Sequence, residues 1–301
     1  MNPARSLLVD TQNPDGGWGA SAGRTSTTEI TSLVTLALRG ESDSIAAAAQ
    51  VRGLAWLRSR QRPDGSWPPA EGIPVSTWMT SLAVLALAGS GTDRSRALAG
   101  GRWLLSQEGR GYSWLTKLIF RLFPDRDVIE LDPDLTGWPW YEDTFSWVEP
   151  TAYALLALKT LRAGLPADST VARIQEGESM LLDRSCDGGG WNYGNSRVFD
   201  EDLWPYPDTT AIALIALRDL GNRSEISSGL VALERMLEEN DSLLASALGL
   251  LCFQAYGRRT DDLRKRIEAR LEGDPGWADL RGIALAALAL SENPSFGISH
   301  G

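Results

Sequence analysis

Cysteine and histidine are scarce in this chain. Among its 301 residues, Cys186 and Cys252 are the only cysteines and His300 is the single histidine. Two cysteines cannot build the disulfide framework of a small secreted protein, and they fit a reducing compartment, so we expect a cytoplasmic protein. Neither cysteine has a second metal ligand at a suitable spacing, and no glycine-rich phosphate loop is evident. The sequence therefore predicts neither a metal site nor a cofactor.

Long apolar runs and an excess of positive charge are also missing. The longest apolar stretches, such as IALAALAL at 283–290, are far shorter than the ~20 residues of a membrane span. The first residues, MNPARSLLVDTQNPDGG, lack a long apolar core and a cleavage site, so we expect no signal peptide. With 29 basic and 39 acidic residues the net charge is −10, which argues against nucleic-acid binding.

Tryptophan, by contrast, is abundant and recurs in a repeated turn. The 12 tryptophans equal the phenylalanines and tyrosines together. The turn ends in Trp each time: QNPDGGW at 12–18, QRPDGSW at 61–67, QEGRGYSW at 107–114, CDGGGW at 186–191 and DPGW at 274–277. A run of Ala and Leu follows each turn, and a sixth run ends at Leu251 without a preceding Trp. The chain is therefore predicted to contain six repeated units.

Two kinds of helix alternate in these units. The six runs are rich in Ala and Leu and poor in β-branched residues, which favours buried helices over strands. The segments before the turns carry a charged face, as at 46–61, 172–185 and 261–273, and should lie outside. Six inner and six outer helices close naturally into a double ring. The prediction is an all-α fold, a single α/α toroid domain over 1–301.

The turns QNPDGGW and QRPDGSW, each followed by an Ala/Leu helix, resemble the repeats of the terpenoid cyclase and protein prenyltransferase superfamily. The resemblance covers almost the whole chain and implies an α/α toroid of about six hairpins. It also implies that Gln12, Trp18, Gln61 and Trp67 brace neighbouring helices. The prenyltransferases of this superfamily bind zinc through Asp, Cys and His, so the scarcity of Cys and His argues against protein prenylation.

The six runs share one register of notable positions. Nine residues before the Leu that ends each run stand Glu29, Trp78, Glu149, Asp208, Ser242 and Asp279. All six should lie at the first turn of an inner helix, around one mouth of the ring. Helix capping explains Asp and Ser well, because their oxygens accept hydrogen bonds from free N–H groups, but it explains Glu less well. The other interpretation is a ring of side chains that contacts a substrate.

The segment YPDTTA at 206–211 is similar to the DxDDTA motif of squalene–hopene-type (class II) cyclases. The middle Asp of that motif protonates an alkene or epoxide, so the resemblance implies that Asp208 is the acid. Tyr206 and Thr209 stand where the family has its other two acids. We expect Glu149 to assist Asp208 if the ring brings them together, because like charges favour a shared proton.

Three functions fit these features. The first is a terpenoid-cyclase-like enzyme acting on an apolar, isoprenoid-like substrate. Its cation-tolerant wall would come from Trp147, Trp204 and Tyr206. The second is an isoprenoid- or lipid-binding toroid without the chemistry. The third is an interaction scaffold, which predicts a filled cavity.

The third unit is longer than the others because of an insertion at about 109–146. Its first part, 114–123, is strongly apolar with Lys117 and Arg121 interspersed. This part is either a lid over one end of the toroid or a helix that contacts a membrane surface. Its second part places Trp138 and Trp140 near acidic residues. Such a mixture either stabilises a carbocation or packs as a loop on the helices.

Overall fold

The computed structural model describes residues 3–40, 42–122, 131–199, 201–273 and 279–296. The turn DPGW at 274–277 and His300 lie outside these described residues. The helices are α1 Pro3–Asp10, α2 Thr28–Ala37, α3 Ser44–Arg60, α4 Met79–Ala88, α5 Arg94–Ser106, α6 Trp114–Leu122, α7 Val148–Leu161, α8 Ala167–Asp183, α9 Pro207–Leu217, α10 Ser224–Glu238, α11 Leu243–Ala255, α12 Asp261–Glu272 and α13 Leu280–Ala289. Short 3₁₀ turns lie at Gly91–Asp93, Arg162–Gly164 and Arg218–Leu220, and strands β1 Arg197–Val198 and β2 Glu201–Asp202 form an antiparallel hairpin.

The Ala/Leu runs form an inner ring of helices: α2, α4, α7, α9, α11 and α13. Each contacts the next along the chain, and α13 contacts α2, so the ring closes. These helices are apolar nearly all round because other helices surround them. The predicted inner positions are all buried: Leu36, Leu85, Leu156, Ile215 and Leu285.

The outer ring consists of α3, α5, α8, α10, α12 and α1. Each of the first five packs on the inner helix that precedes it in the chain, whereas α1 packs on α13. The two ends of the described chain therefore complete one hairpin together. The outer helices turn their charged faces outward, as predicted: Lys265 is exposed, although its neighbour Arg264 is half-buried. The all-α toroid is confirmed.

Four tryptophans join successive units, and we call this arrangement the Trp clamp. The indole N–H of Trp18 donates to the Leu8 carbonyl at 2.6 Å, and the Trp18 backbone N–H donates to the Thr31 hydroxyl at 2.9 Å. Trp67, Trp138 and Trp191 repeat both contacts, with Leu57 and Thr80, Leu104 and Thr151, and Leu181 and Thr210. Each Trp thus ties the last turn of one outer helix to the inner helix that follows.

A glycine on the next outer helix makes room for each clamp ring. A Cβ added at Gly100 would lie 2.9 Å from the Trp67 ring and 2.5 Å from Val84. Glycines face the other clamp rings in the same way: Gly53 for Trp18, Gly177 for Trp138 and Gly229 for Trp191. A clamp therefore holds three helices, because its ring also packs on the following outer helix.

The glutamines of the first two turns also brace neighbouring helices, as the resemblance implies. The Gln12 side-chain amide donates to the carbonyls of Gly16 and Ala49, at 2.8 and 2.9 Å. Gln61 donates in the same way to Gly65 and Arg96, at 3.0 and 2.9 Å. Each glutamine connects its own turn to the next outer helix.

The third turn differs from the sequence prediction, which placed its Trp at Trp114. Trp114 begins α6 and is 76% exposed, whereas the buried clamp ring is Trp138. The insertion separates Gln107 from the Trp138 ring. Arg173 of α8, rather than a glutamine, connects this turn to the next outer helix. Its guanidinium lies 3.7 Å from the centre of the Trp138 ring and donates to the carbonyls of Gly137 and Gln107. The thirteen-residue spacing from clamp Trp to clamp Thr in the first two units is the signal that identifies Trp138, because Thr151 follows it at that distance.

The apolar side of α6 faces solvent. Trp114, Leu115, Leu118, Ile119 and Leu122 are 41–76% exposed. Lys117 on the same helix is ion-paired with Asp134 at 2.8 Å. No helix within the described ranges is both long enough and apolar enough to cross a bilayer.

We predict that Gly100→Ala destabilises the fold by about 1–3 kcal/mol, because its methyl group overlaps Val84 and the Trp67 ring. Alanine by itself favours a helix over glycine by about 1 kcal/mol, so a loss can only come from packing. Urea unfolding measures the change. Gly91→Ala is the control, since nothing lies within 4 Å of its added Cβ. Equal stability of Gly100→Ala and wild type would contradict the clamp.

Candidate functional site

The six register positions lie at the N-terminal ends of the six inner helices, and therefore around one mouth of the ring. Trp78, Ser242 and Asp279 are the residues directly before α4, α11 and α13. Glu29, Glu149 and Asp208 are each the second residue of their helix. We call this end the N-terminal mouth.

Capping accounts for two of the three register positions, the two Asp and the Ser, that it was expected to explain well. The Ser242 hydroxyl accepts from the Ala245 N–H at 3.3 Å, and the Asp279 carboxylate accepts from the Arg281 N–H at 3.1 Å. The expectation that Asp208 is a cap is wrong, because Tyr206 occupies the cap position of α9 and no side chain caps that helix. In α2 the cap is Thr27. The carboxylates of the first turns therefore face other partners.

Arg281 ties two of these carboxylates together across the mouth. Its Nε lies 3.0 Å from Glu29 Oε1, and its Nη2 donates a hydrogen bond to Glu149 Oε1. Glu29 belongs to α2, the neighbour of α13, whereas Glu149 belongs to α7, which stands three places away around the ring. The guanidinium therefore bridges opposite walls of the lumen.

Burial sets the electrostatics of this bridge. Glu149 is only 6% exposed, and burial raises its pKa, with Arg281 opposing the rise and the neighbouring Glu29 adding to it. Burial likewise raises the pKa of Glu29. Burial alone would lower the pKa of Arg281, but Glu149 and Glu29 outweigh it and raise that pKa. One cation thus faces two carboxylates, an arrangement that retains a proton on the pair more readily than a surface Glu does.

Asp208 lies beside the bridge and contacts a tyrosine. The Tyr193 hydroxyl donates to Asp208 Oδ2 at 3.2 Å, and the Tyr193 ring lies 5.2 Å from that of Tyr206. Burial and the charge of Asp208 raise the pKa of Tyr193 to about 12. Tyr193 therefore stays a neutral hydrogen-bond donor, and Asp208 itself is half-buried. Glu149 feels the charge of Asp208, so the ring does bring the two acids into one electrostatic cluster.

Aromatic rings fill the lumen behind the bridge. The centre of the Trp78 ring lies 5.5 Å from that of Tyr153 and 5.0 Å from that of Trp140. Tyr153 in turn contacts Phe296 edge-to-face at 5.8 Å. Phe296 follows the end of α13, so it reaches the lumen from the mouth opposite the acids. A cavity of about 310 Å³ beside it is lined by Ile215, Leu251, Gln254, Pro294 and Phe296, among others.

The remaining predicted substrate contacts lie further out. Trp147 is 36% exposed, Tyr206 47% and Trp204 81%, and Asp279 is exposed as well. The Trp147 ring packs against Gly194. Of the predicted residues, the structure brings Glu29, Glu149, Asp208 and Trp78 together at the mouth. Trp204 is the most exposed of the predicted aromatic contacts.

Sequence reasoning missed Arg281, Tyr153 and Tyr193. Arg281 lies two residues after register position Asp279, and Tyr153 lies one helical turn after Glu149, so both could have been found by reading the inner helices one turn inward. Tyr193 lies in a loop, where no periodicity places it. Within the described part of the chain, no group of three His, Cys, Asp or Glu side chains is arranged to hold a metal ion.

We predict that Glu149→Gln changes how stability depends on pH. The raised pKa of Glu149 means that the folded chain binds this proton more tightly than the unfolded chain. The resulting stability is fully present below about pH 4.3, the ordinary Glu value, and is lost as pH rises through the raised pKa. The free energy of unfolding of wild type minus variant should therefore fall from pH 4 to pH 7, as measured by urea unfolding.

The control is Gln175→Ala on the exposed side of α8, which removes no titratable group. Its difference from wild type in the free energy of unfolding should stay level over the same range. A difference for Glu149→Gln that grew with pH would mean that Arg281, rather than burial, sets the pKa of Glu149.

Comparison with known proteins finds similarity in structure but not in sequence. No protein-family description matches the chain, and no curated protein does either. The type II terpene cyclase MstE from Scytonema superimposes with a TM-score of 0.56 at 17% identity, over 90% of this chain and 76% of the cyclase. A variant of MstE in complex with geranylgeranyl dihydroxybenzoate gives 0.54 at 15% identity, over 90% and 75%.

Two further solved structures also have this fold. A protein from Actinoplanes superimposes with a TM-score of 0.53 at 18% identity, over 90% of this chain and 77% of that chain. A C-terminal portion of alpha-2-macroglobulin from Escherichia coli gives 0.51 at 14% identity, over 96% of this chain and 42% of that one. At such identities the similarity concerns the fold alone. The chain therefore has the α/α toroid fold of the type II terpene cyclases, a fold that part of alpha-2-macroglobulin shares.

Proposed function

We propose that this protein is a terpenoid-cyclase-like enzyme that binds an apolar, isoprenoid-like molecule at the N-terminal mouth and protonates it there. The observation that carries the proposal is the buried Glu149, bridged by Arg281 to Glu29, beside the Trp78–Tyr153 ring pair. An acid that retains its proton next to aromatic faces suits both steps of such chemistry, because it protonates an alkene and the faces then stabilise the cation.

The roles follow from the positions of the two acids. Asp208 stands at the residue that the cyclase motif uses as proton donor, and Tyr193 donates a hydrogen bond to it. Glu149 is the more buried of the two, and it shares the electrostatic cluster with Asp208. We assign both as the catalytic acids. Substrate contacts are assigned to Trp78, Trp147, Trp204, Tyr206, Glu29 and Asp279.

The substrate class rests on the lining of the mouth and on a structural neighbour. Apart from the acids, the mouth presents aromatic rings, which suit a hydrocarbon chain. A variant of MstE was solved in complex with a geranylgeranyl compound. Protonation of one double bond, ring closure and loss of a proton from the product cation require no cofactor or further reactant.

We predict that the wild type converts an oligoprenyl substrate, such as geranylgeranyl dihydroxybenzoate, into cyclic isomers of unchanged mass. In deuterium oxide each product should gain one deuterium, because the initiating proton comes from an exchangeable carboxylic acid. Asp208→Asn and Glu149→Gln should each lower the rate by at least a hundredfold (about 2.7 kcal/mol). Extraction followed by mass spectrometry measures products and label together.

The matched control is Asp43→Asn, which changes a carboxylate at the start of an outer helix and keeps its capping capacity. It should leave the rate unchanged. Full turnover by Asp208→Asn would remove Asp208 from the acid role. The absence of any product from a folded wild type with a panel of oligoprenyl substrates would overturn the proposal.

A second candidate, a toroid without chemistry, has the packed lumen in its favour. Trp78, Tyr153 and Phe296 occupy the centre of the ring, as a scaffold predicts. The enzyme requires an apolar ligand to displace at least part of this packing. The position of Phe296 distinguishes the two candidates, because it fills the lumen without belonging to an inner helix.

We predict that Phe296→Ala increases the affinity for geranylgeraniol at least fivefold, since the removed ring no longer competes with the ligand. The substitution should also cost about 3–5 kcal/mol of stability in the absence of ligand. Leu271→Ala, which empties buried space in the outer layer, is the control and should leave the affinity unchanged. Fluorescence titration measures binding. Stability loss without any gain in affinity would favour the scaffold.

A further inference from the structure

We propose that the surface around the N-terminal mouth docks a protein partner whose contact face is apolar and flanked by Lys or Arg. The surface consists of large apolar side chains that are 42–81% exposed, interleaved with exposed carboxylates. We call it the apolar rim and define it by Ile73, Val75, Tyr141, Phe145, Phe199 and Trp204. The rim lies outside the buried acids, and of its residues only Trp204 is also assigned to the substrate.

The rim residues lie on three loops at the same end of the ring, and the backbones of these loops are joined to one another. The first, 68–77, precedes α4, and the second, 131–147, precedes α7. The third, of which 192–199 and 201–206 are described, precedes α9. Thr77 forms a β-bridge with Tyr141, which joins the first two loops. The Val148 N–H at the end of the second loop donates to the Tyr193 carbonyl at 2.9 Å, which joins the third. Several exposed apolar side chains on joined loops indicate an interaction site, whereas single exposed residues do not.

Backbone strain points to the same surface. Within the described ranges, Asp143 and Phe199 are the non-glycine residues with positive φ, at 61° and 53°. Both lie in rim loops. Phe199 stands between β1 and β2 and is 72% exposed. A bulky residue in the left-handed region is strained, and here that strained residue presents an aromatic ring to solvent.

The exposed charges of the rim indicate which kind of partner it binds. Glu142, Asp143, Glu201 and Asp202 are exposed between the apolar side chains, and Asp202 has Arg197 at 3.6 Å. Arg62 also reaches the rim, where it donates to the Ile73 carbonyl at 3.3 Å, but the four carboxylates outnumber the two arginines. The fringe is therefore acidic, and it repels an anionic lipid surface and a second copy of the same rim. It attracts Lys and Arg, and such electrostatic complementarity mainly sets specificity and the rate of association. A helix with an apolar face and basic edges meets both requirements.

The probe for the test is a 15-residue amphipathic helix of leucine and lysine, and the matched probe replaces lysine with glutamate. Calorimetry at two salt concentrations should show binding of the lysine peptide that weakens with salt, and no binding of the glutamate peptide. The double variant Phe199→Asn, Val75→Ser should weaken binding at least tenfold. Asparagine tolerates the backbone conformation of Phe199, so the fold should persist, as a thermal melt checks.

Two matched controls test whether binding depends on the rim itself, rather than on any exposed apolar side chain or on the net charge of the protein. Val51→Ser with Val231→Ser removes exposed valines from the outer helices, and should change affinity less than twofold. Asp143→Asn with Glu201→Gln should weaken binding and reduce its salt dependence. Asp262→Asn with Glu268→Gln, which removes the same number of negative charges from α12, should do neither.

Four outcomes would overturn the proposal. The first is equal affinity for both peptides, and the second is equal effects of the rim and control variants. The third is co-sedimentation with phosphatidylcholine or phosphatidylglycerol vesicles that the rim variant loses. The fourth is a dimer in sedimentation velocity that the rim variant loses. The third would make the rim a membrane contact. The fourth would make it an interface between copies of this chain.

Discussion

The buried indole N–H is the interaction on which this toroid depends. The last carbonyls of an outer helix have no partner within the helix, and the clamp Trp donates to one of them while its backbone N–H reaches a Thr of the following inner helix. The ring then packs against a glycine of the next outer helix. One side chain thus fixes the spacing of three helices. Repeated in four units, it sets the curvature that brings α13 back to α2.

Closure of the ring has an electrostatic consequence. Because inner and outer helices alternate, all six inner helices point the same way, and their positive ends gather at one mouth. Carboxylates are favoured there, but Glu29 and Glu149 lie too deep for water to solvate them fully. Arg281 compensates for part of that cost and, in doing so, connects opposite walls of the lumen. The polar bridge therefore spans the N-terminal mouth, and the aromatic packing behind it fills the lumen.

The same mouth collects the unusual features of the molecule. It contains the buried acids, the Tyr193–Asp208 hydrogen bond, both strained non-glycine residues of the described chain and the exposed apolar rim. The clamp Trp residues at this end are held by bonds to two helices, whereas the segments between each clamp Trp and the next inner helix differ from unit to unit. A repeat architecture of this kind keeps its framework uniform and varies the loops at one end, where binding surfaces are made.

The sequence by itself determined the all-α fold, the two layers and the register of the inner helices, because each depends on composition and on spacing within about twenty residues. It also placed Glu29, Glu149, Asp208 and Trp78 at one mouth, since equivalent positions in a repeat lie at equivalent heights. The sequence alone predicts Trp114 as the third clamp ring, because a motif of Gln, Gly and Trp is also present at the start of the insertion. The buried ring is that of Trp138.

Only the tertiary structure decided what those positions contact. Arg281 and Glu149 are 132 residues apart in sequence and meet because the ring closes. Phe296 reaches Tyr153 through the lumen, a path that no periodicity encodes. Which acid is buried, which is solvated and which surface stays uncovered all depend on the distance across the ring and on loop conformation. These are set by the packing of the whole chain, so no local pattern of residues could reveal them.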